Sequence, residues 1–209
     1  MFTSVKRACA PHKAGFAVLS RCYAPVVKPG DHPEFYRFPA PEGRSRESTI
    51  RLDALGRFWH DAEVVEHAGM AAALRSWISR HPDDGRYILT NGYDWTYFTV
   101  DDAPYFVQSL RVQGDGVVLL LSDGAEEPWE PETTRTGADG ALYAIVKKTQ
   151  KGGPYEAKFT PHAQGSLGPM LVDDAQWDGA TDARGAPGLG VRVGGRTRVI
   201  GDARASVAR

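Results

Sequence analysis

The sequence predicts an α+β fold, mostly antiparallel sheets with two helices. Three observations predict it. Short β-branched and aromatic runs recur between Gly-, Asp- and Asn-containing turns, as antiparallel strands require. One run, His67–Arg80, repeats its apolar residues at helical spacing. The order hairpin, helix, strands then recurs in the second half of the chain, which reads as two repeated hairpin-helix-strand modules.

In chain order, Thr49–Asp53 and Arg57–Val65 read as a hairpin across Ala54-Leu55-Gly56, where glycine can take positive φ. The helix follows over His67–Arg80. Met70, Leu74, Trp77 and Ile78 fall on one face and Ala71–Ala73 favour helix intrinsically. Pro82 and Gly85 close it. Arg86–Thr90 and Asp94–Val100 read as strands around Asn91-Gly92, with Trp95, Tyr97 and Thr99 on one face of the second. Tyr105–Val112 and Val117–Leu121 flank Gly114-Asp115-Gly116. Asp123-Gly124 turns the chain towards Glu126–Glu130, and Glu130–Gly140 reads as loop. Ala141–Lys148 and Tyr155–Thr160 form another pair. Pro161–Asp173 reads as a second helix, weakened by Gly165, Gly168 and Pro169. Gln176–Pro187 reads as a surface loop, and Gly190–Val193 with Arg196–Ile200 as a closing hairpin. The expected division is 1–48 as a disordered or leader-like segment, 49–122 as the first module, 123–200 as the second packed on it, and 201–209 as a flexible tail.

Composition excludes several classes. A net charge of −1 argues against a nucleic-acid partner. The longest apolar run of the body, Val117–Leu121, is far short of the ~20 residues that span a membrane. Cys9 and Cys22 form no metal-ligand or disulfide pattern. The first thirty residues hold Lys6, Arg7, Lys13, Arg21 and Lys28 and no acid. That pattern fits a targeting peptide, a mis-assigned start or a disordered tail. Residues 31–48, with Pro33, Pro39, Pro41 and Gly43, read as linker.

No catalytic motif emerges. His60, His67, His81 and His162 have no i, i+4 pairing, so neither a metal nor a cofactor is expected. There is no nucleophile elbow, and Gly188–Gly195 lacks the spacing and following helix of a phosphate loop. Asp83-Asp84-Gly85 is a turn. Asp101-Asp102-Ala103-Pro104 reads as a sharp corner, with a ligand-facing carboxylate as the alternative. The strongest binding lead is aromatic. Tyr93, Trp95, Tyr97, Phe98, Tyr105 and Phe106 on neighbouring strands, with Arg86 and Arg111 nearby, could form a stacking platform for a nucleotide base or single-stranded nucleic acid; core packing is the competing reading. The candidate ligand-binding residues are Trp95, Tyr97, Asp101, Asp102, Tyr105, Arg86 and His60. Arg192, Arg196 and Arg198 form a basic stripe on the last hairpin.

Four segments carry a resemblance. They are Asp53-Ala54-Leu55-Gly56-Arg57-Phe58-Trp59-His60, Asp83-Asp84-Gly85-Arg86-Tyr87-Ile88-Leu89, Val100-Asp101-Asp102-Ala103-Pro104-Tyr105, and Tyr155-Glu156-Ala157-Lys158-Phe159. Together they resemble the bacterial domain-of-unknown-function family number twelve eighty-five over roughly Ile50–Ile200. The resemblance implies two repeated small α+β motifs and a suspected ligand-binding or signalling role, with no catalytic residues to carry over. The chain departs from the family after Thr90, where Asn91-Gly92-Tyr93-Asp94-Trp95 replaces a Pro-Val-Glu type sequence, so a ligand bordering that loop would differ. The expected function is a non-enzymatic small-ligand-binding or regulatory module of the bacterial cytoplasm. The alternatives are a protein–protein interaction module using an exposed aromatic face, and a hydrolase using His60, His67 and Asp101 or Asp102. The expected partner is an unknown small molecule or protein, with no nucleic acid and no membrane.

Overall fold

Each predicted strand run folds beside its sequence neighbour, and the ends of two such meanders meet in parallel. The computed structural model describes residues 27–172, 189–193 and 195–200. The first sheet holds β1 (Glu47–Leu52), β2 (Phe58–His60), β3 (Glu63–Val64), β4 (Ile78–Arg80), β5 (Tyr87–Thr90) and β6 (Trp95–Val100), with α1 (Ala68–Ser76) between β3 and β4. Its order is β3-β2-β1-β6-β5-β4, antiparallel except where β1 and β6 pair in parallel.

The second sheet repeats that plan. Its strands are β7 (Tyr105–Gln113), β8 (Gly116–Leu121), β9 (Glu126–Pro128), β10 (Arg135–Thr136), β11 (Leu142–Val146) and β12 (Tyr155–Phe159). The order is β10-β11-β12-β7-β8-β9, with β7 and β12 as the parallel pair. Read from β9, it has the same winding as the first sheet, so the predicted repeat is present in the topology. A 3-10 turn at Pro131–Thr133 stands where the first module has α1. After the second sheet come α2 (Pro161–Gly165), a 3-10 turn at Gly168–Met170, and the hairpin of β13 (Leu189–Val193) and β14 (Arg196–Ile200).

The module boundary differs from the sequence reading. β7 and β8 belong to the second sheet, so the division falls at Asp101–Pro104 and not after Ser122. Local turn chemistry identifies a hairpin but not the sheet it joins. That is decided by β12, whose Ala157, Lys158 and Phe159 pair with Tyr105, Phe106 and Val107.

Both helices are shorter than expected. The first ends at Ser76 because Ile78, Ser79 and Arg80 leave it to pair with Leu89, Ile88 and Tyr87. Ile78 is therefore buried as a strand residue, and Met70 is half exposed. His67 caps the start, its Nδ1 accepting from the Met70 N–H at 3.1 Å. α2 stops at Gly165, its N-terminus held by Thr160 Oγ1 accepting from the Ala163 N–H at 3.2 Å. Residues of both modules, among them Leu52, Phe58, Leu74 and Phe98 with Tyr105, Leu119, Tyr155 and Phe159, share one buried core.

Residues 27–48 are not a linker. Pro29–Asp31 and Pro33–Arg37 form 3-10 turns, each opened by a proline whose fixed φ suits that position. The Gly30 N–H donates to the Gly92 carbonyl at 2.8 Å, and Arg37 grips Asp83 through Nε and Nη2 at 3.0 and 3.1 Å. Tyr36 is 5% exposed, 6.2 Å from both the Trp95 and His81 rings. The proline content reads as linker, but one buried tyrosine is enough to anchor the arm. The predicted leader (residues 1–26), the Gln176–Pro187 loop and the tail 201–209 lie outside the described residues.

If the arm is part of the fold, Tyr36→Ala will lower the unfolding free energy by about 3 kcal/mol in urea titrations, as deletion of a buried aromatic ring does. A loss below about 0.5 kcal/mol, the range of ordinary surface changes, would make the arm dispensable.

Candidate functional site

The corner Asp101–Pro104 positions the site. The Asp101 N–H donates to the Leu52 carbonyl at 2.9 Å, continuing the β1–β6 pairing by one residue. β1 ends at Leu52, and Pro104, with no N–H to give, precedes β7, where the chain joins the second sheet. Adjacent side chains in extended chain point to opposite sides, and the two carboxylates part accordingly. Asp101 pairs with Arg51 of the first sheet. Asp102 turns to the second, where its Oδ2 accepts from Lys158 Nζ at 2.6 Å and from the Tyr143 hydroxyl at 3.1 Å.

Beside Lys158 opens a cavity of about 840 Å³. Phe106, Leu142, Phe159 and Leu167, all buried, form its apolar lining, and α2 with the following 3-10 turn borders it through Gln164, Gly165 and Gly168. Asp139 and Lys158, 3.4 Å apart, form its charged, polar end, and Thr136, Thr160 and Gln164 add polar groups to the lining. Leu55, Leu171 and Leu189 line it while remaining exposed to solvent.

One wall comes from the first module, through Ala54 and Leu55. Asp53 fixes this turn. Its Oδ1 accepts from the Leu55 and Arg57 backbone N–H groups, and its Oδ2 from Arg57 Nε and Trp59 Nε1, each at 2.9 Å. Burial pushes the Asp53 carboxyl up, but the Trp59 and Arg57 hydrogen bonds, with that of Leu55, outweigh it and bring the pKa down to about 2. Gly56 has φ +80°, and a Cβ there would lie 3.0 Å from the Phe106 ring, so glycine lets the turn close over the cavity edge.

At the polar end, Arg135 makes a two-point pair with Glu156 at 2.6 and 2.8 Å and lies 3.9 Å over the Tyr143 ring. The hydrogen bond to Asp102 raises the Lys158 pKa against the opposing effect of burial, so Lys158 stays an ammonium ion. Asp139 lies 3.4 Å from Lys158 and is held below the usual carboxylate range, first by the Ala141 backbone N–H. Among the described residues, no group of three or more His, Cys, Asp or Glu could hold a metal ion. Among the same residues, no helix is long and apolar enough to cross a membrane.

The residues singled out in the sequence do not form one site. Trp95 is 6% exposed, packed by Tyr36 and His81 with the Arg46 guanidinium 4.5 Å from its ring. Arg86 stacks 3.8 Å over Tyr97 and bonds Glu47 twice at 2.8 Å, while the Tyr97 hydroxyl donates to Asp84 at 2.8 Å. These three share the outer face of the first sheet with the N-terminal arm. Tyr105 is in the common core, edge-on to Tyr155 at 5.3 Å. His60 is exposed on β2 beside Asp61. His60, His67, Asp101 and Asp102 have separate partners: Asp61, the Met70 N–H, Arg51 and Lys158. Of the seven, Asp102 alone bonds a residue that lines the cavity. Sequence reasoning missed Lys158, Asp139 and the apolar lining. The signal was a lysine opposite the buried face of Tyr155, Ala157 and Phe159, but its neighbour Phe106 is known only once β7 and β12 pair.

No family model matches the chain, and no curated protein matches it. Two solved structures do. One is a DUF1285 family protein from Silicibacter pomeroyi DSS-3, 16% identical, with a TM-score of 0.54 over 78% of this chain and 90% of that one. The other is a DUF1285 family protein from Shewanella baltica OS155, 15% identical, with a TM-score of 0.47 over 58% of this chain and 91% of that one. The chain therefore has the fold of a protein from the family its sequence resembles, a family whose function is unknown.

The Asp53 network gives a pH signature. Its folded pKa of about 2 lies below the ordinary 3.8, so its stabilisation is complete above that ordinary value and is lost as pH falls through about 2. The shift corresponds to about 2 kcal/mol. Asp53→Asn should lose about that much stability at neutral pH and flatten the acid limb of a stability–pH curve. Identical acid limbs in the two proteins would show that Asp53 does not titrate in this way.

Proposed function

We propose that this protein is a small-ligand-binding module whose ligand occupies the cavity beside Lys158. One observation carries the reading. A volume of about 840 Å³, lined by buried aromatic and aliphatic side chains with a few polar groups, the Asp139–Lys158 pair among them, has the size and polarity of a small-molecule site. The wall at Ala54 and Leu55 supports a regulatory use. A ligand there touches both modules, and it favours whichever arrangement of them it binds better.

The test uses the full chain and Nile red, a neutral dye that fluoresces in apolar surroundings. Saturable binding is expected. It should be lost in Gly165→Leu and in Ala141→Trp, which add bulk at lining positions, with circular dichroism and melting temperature retained. Gly165 is suited to this, since a Cβ there meets nothing within 4 Å. No saturable binding, or equal binding in both folded variants, would rule the cavity out as the site.

A further inference from the structure

We infer that the cavity takes a single-chain amphiphile with a cationic or hydrogen-bond-donating head, and that it selects against a free carboxylate. The inference rests on the proposed ligand site and assigns it a ligand class.

The charges at the polar end are unequal. Asp102, Asp139 and Glu156 face Lys158 and Arg135. Arg135 bonds Glu156 through Nε and Nη2 and covers the Tyr143 ring. Lys158 is committed to Asp102 at 2.6 Å, a contact shared by the Tyr143 hydroxyl. Of the two charged side chains that line the cavity among the described residues, Asp139 is the more exposed, at 58% against 18% for Lys158, and lies 3.4 Å from it at its nearer oxygen. The Ala141 N–H donates to its Oδ1 at 3.1 Å and holds the carboxylate in place at the rim. The more exposed of the two charges lining the cavity is therefore a hydrogen-bond acceptor.

A ligand head lying here strips water from Asp139 and must return a donor, because a buried charge left unpaired is costly. An ammonium or hydroxyl head supplies one. A carboxylate head would place a second anion beside the first, and could reach Lys158 only by competing with Asp102. The same reasoning disfavours nucleotides, since the one cation that lines the cavity among the described residues is already paired.

The rest of the cavity calls for hydrocarbon. Phe106, Leu142, Phe159 and Leu167 offer no polar side-chain group, and the exposed Leu55 and Leu171 extend the apolar surface to the mouth. A flexible alkyl chain fills such a space and gains in proportion to the methylenes buried.

Displacement of Nile red from the full chain by octylamine, octanol and octanoate tests this at constant chain length. The expected order is octylamine, then octanol, then octanoate, with roughly a tenfold gap between amine and acid, the size of one charge-assisted hydrogen bond. Ethylamine, which has the head without the chain, should not compete. In Asp139→Asn the gap should fall to about twofold, a few tenths of a kcal/mol, with octanol unchanged. Octanoate binding as tightly as octylamine, or a gap that survives Asp139→Asn, overturns the head-group assignment while leaving the cavity as a site. Nile red binding that none of the three displaces overturns the amphiphile class. Failure of Nile red to bind at all is a different result and removes the site itself.

Discussion

The parallel pairing of the first and last strand of each module is the constraint on which the structure depends. A hairpin cannot join parallel neighbours, so everything between β1 and β6, and between β7 and β12, has to serve as the crossover. Two short meanders and a helical turn meet that need. The chain consequently leaves each module beside the strand on which it entered. The Asp101 N–H bonding to the Leu52 carbonyl is the last rung of this arrangement in the first module. The corner must then pass to the second sheet in a few residues, and Pro104, lacking a donor, marks where pairing changes sheets. The two aspartates there serve the two sides at once, one holding Arg51 and the other Lys158.

What the sequence made legible follows from how local each feature is. Hairpins turning on Gly56, Asp123-Gly124 and Gly195 were readable because turn chemistry and strand alternation are properties of adjacent residues. The class and the repeat were readable because they are sums of such features. The end of α1 was not, because Ile78 satisfies helical spacing and β-pairing equally well, and only the presence of Leu89 decides for the strand. The arm was misread for a related reason. Proline density signals absence of regular structure, but Tyr36 needs no regular structure to reach Trp95. The aromatic lead pointed to real clustering, and the structure surrounds it with Tyr36, Arg46, Glu47 and Asp84, whose contacts satisfy most of its polar groups.

The site was harder to read than the fold because its parts are distant in the chain. Lys158 and Phe106 become neighbours only through the β7–β12 register, and Leu55 reaches the same cavity from the other module. No spacing rule in the sequence connects these three. The connection is topological, and it appears once the strand order is known.

The repeat also bears on why the cavity lies mostly in the second module. The two modules share a winding but not their connections. In the first, the nine-residue α1 joins the meanders and sends Leu74 into the common core. In the second, that connection shrinks to the Pro131–Thr133 turn, and the five-residue α2 borders the cavity with Gly165 before Gly168 and Pro169 divert the chain. A short helix ending in glycines supplies little side-chain bulk to the space it borders. Duplicated frames with unequal packing elements tend to leave room in one copy, and here the room lies against the corner that joins them. Asp102 at the corner bonds Lys158 in the cavity wall, so a single pair of side chains connects the junction of the modules to the cavity.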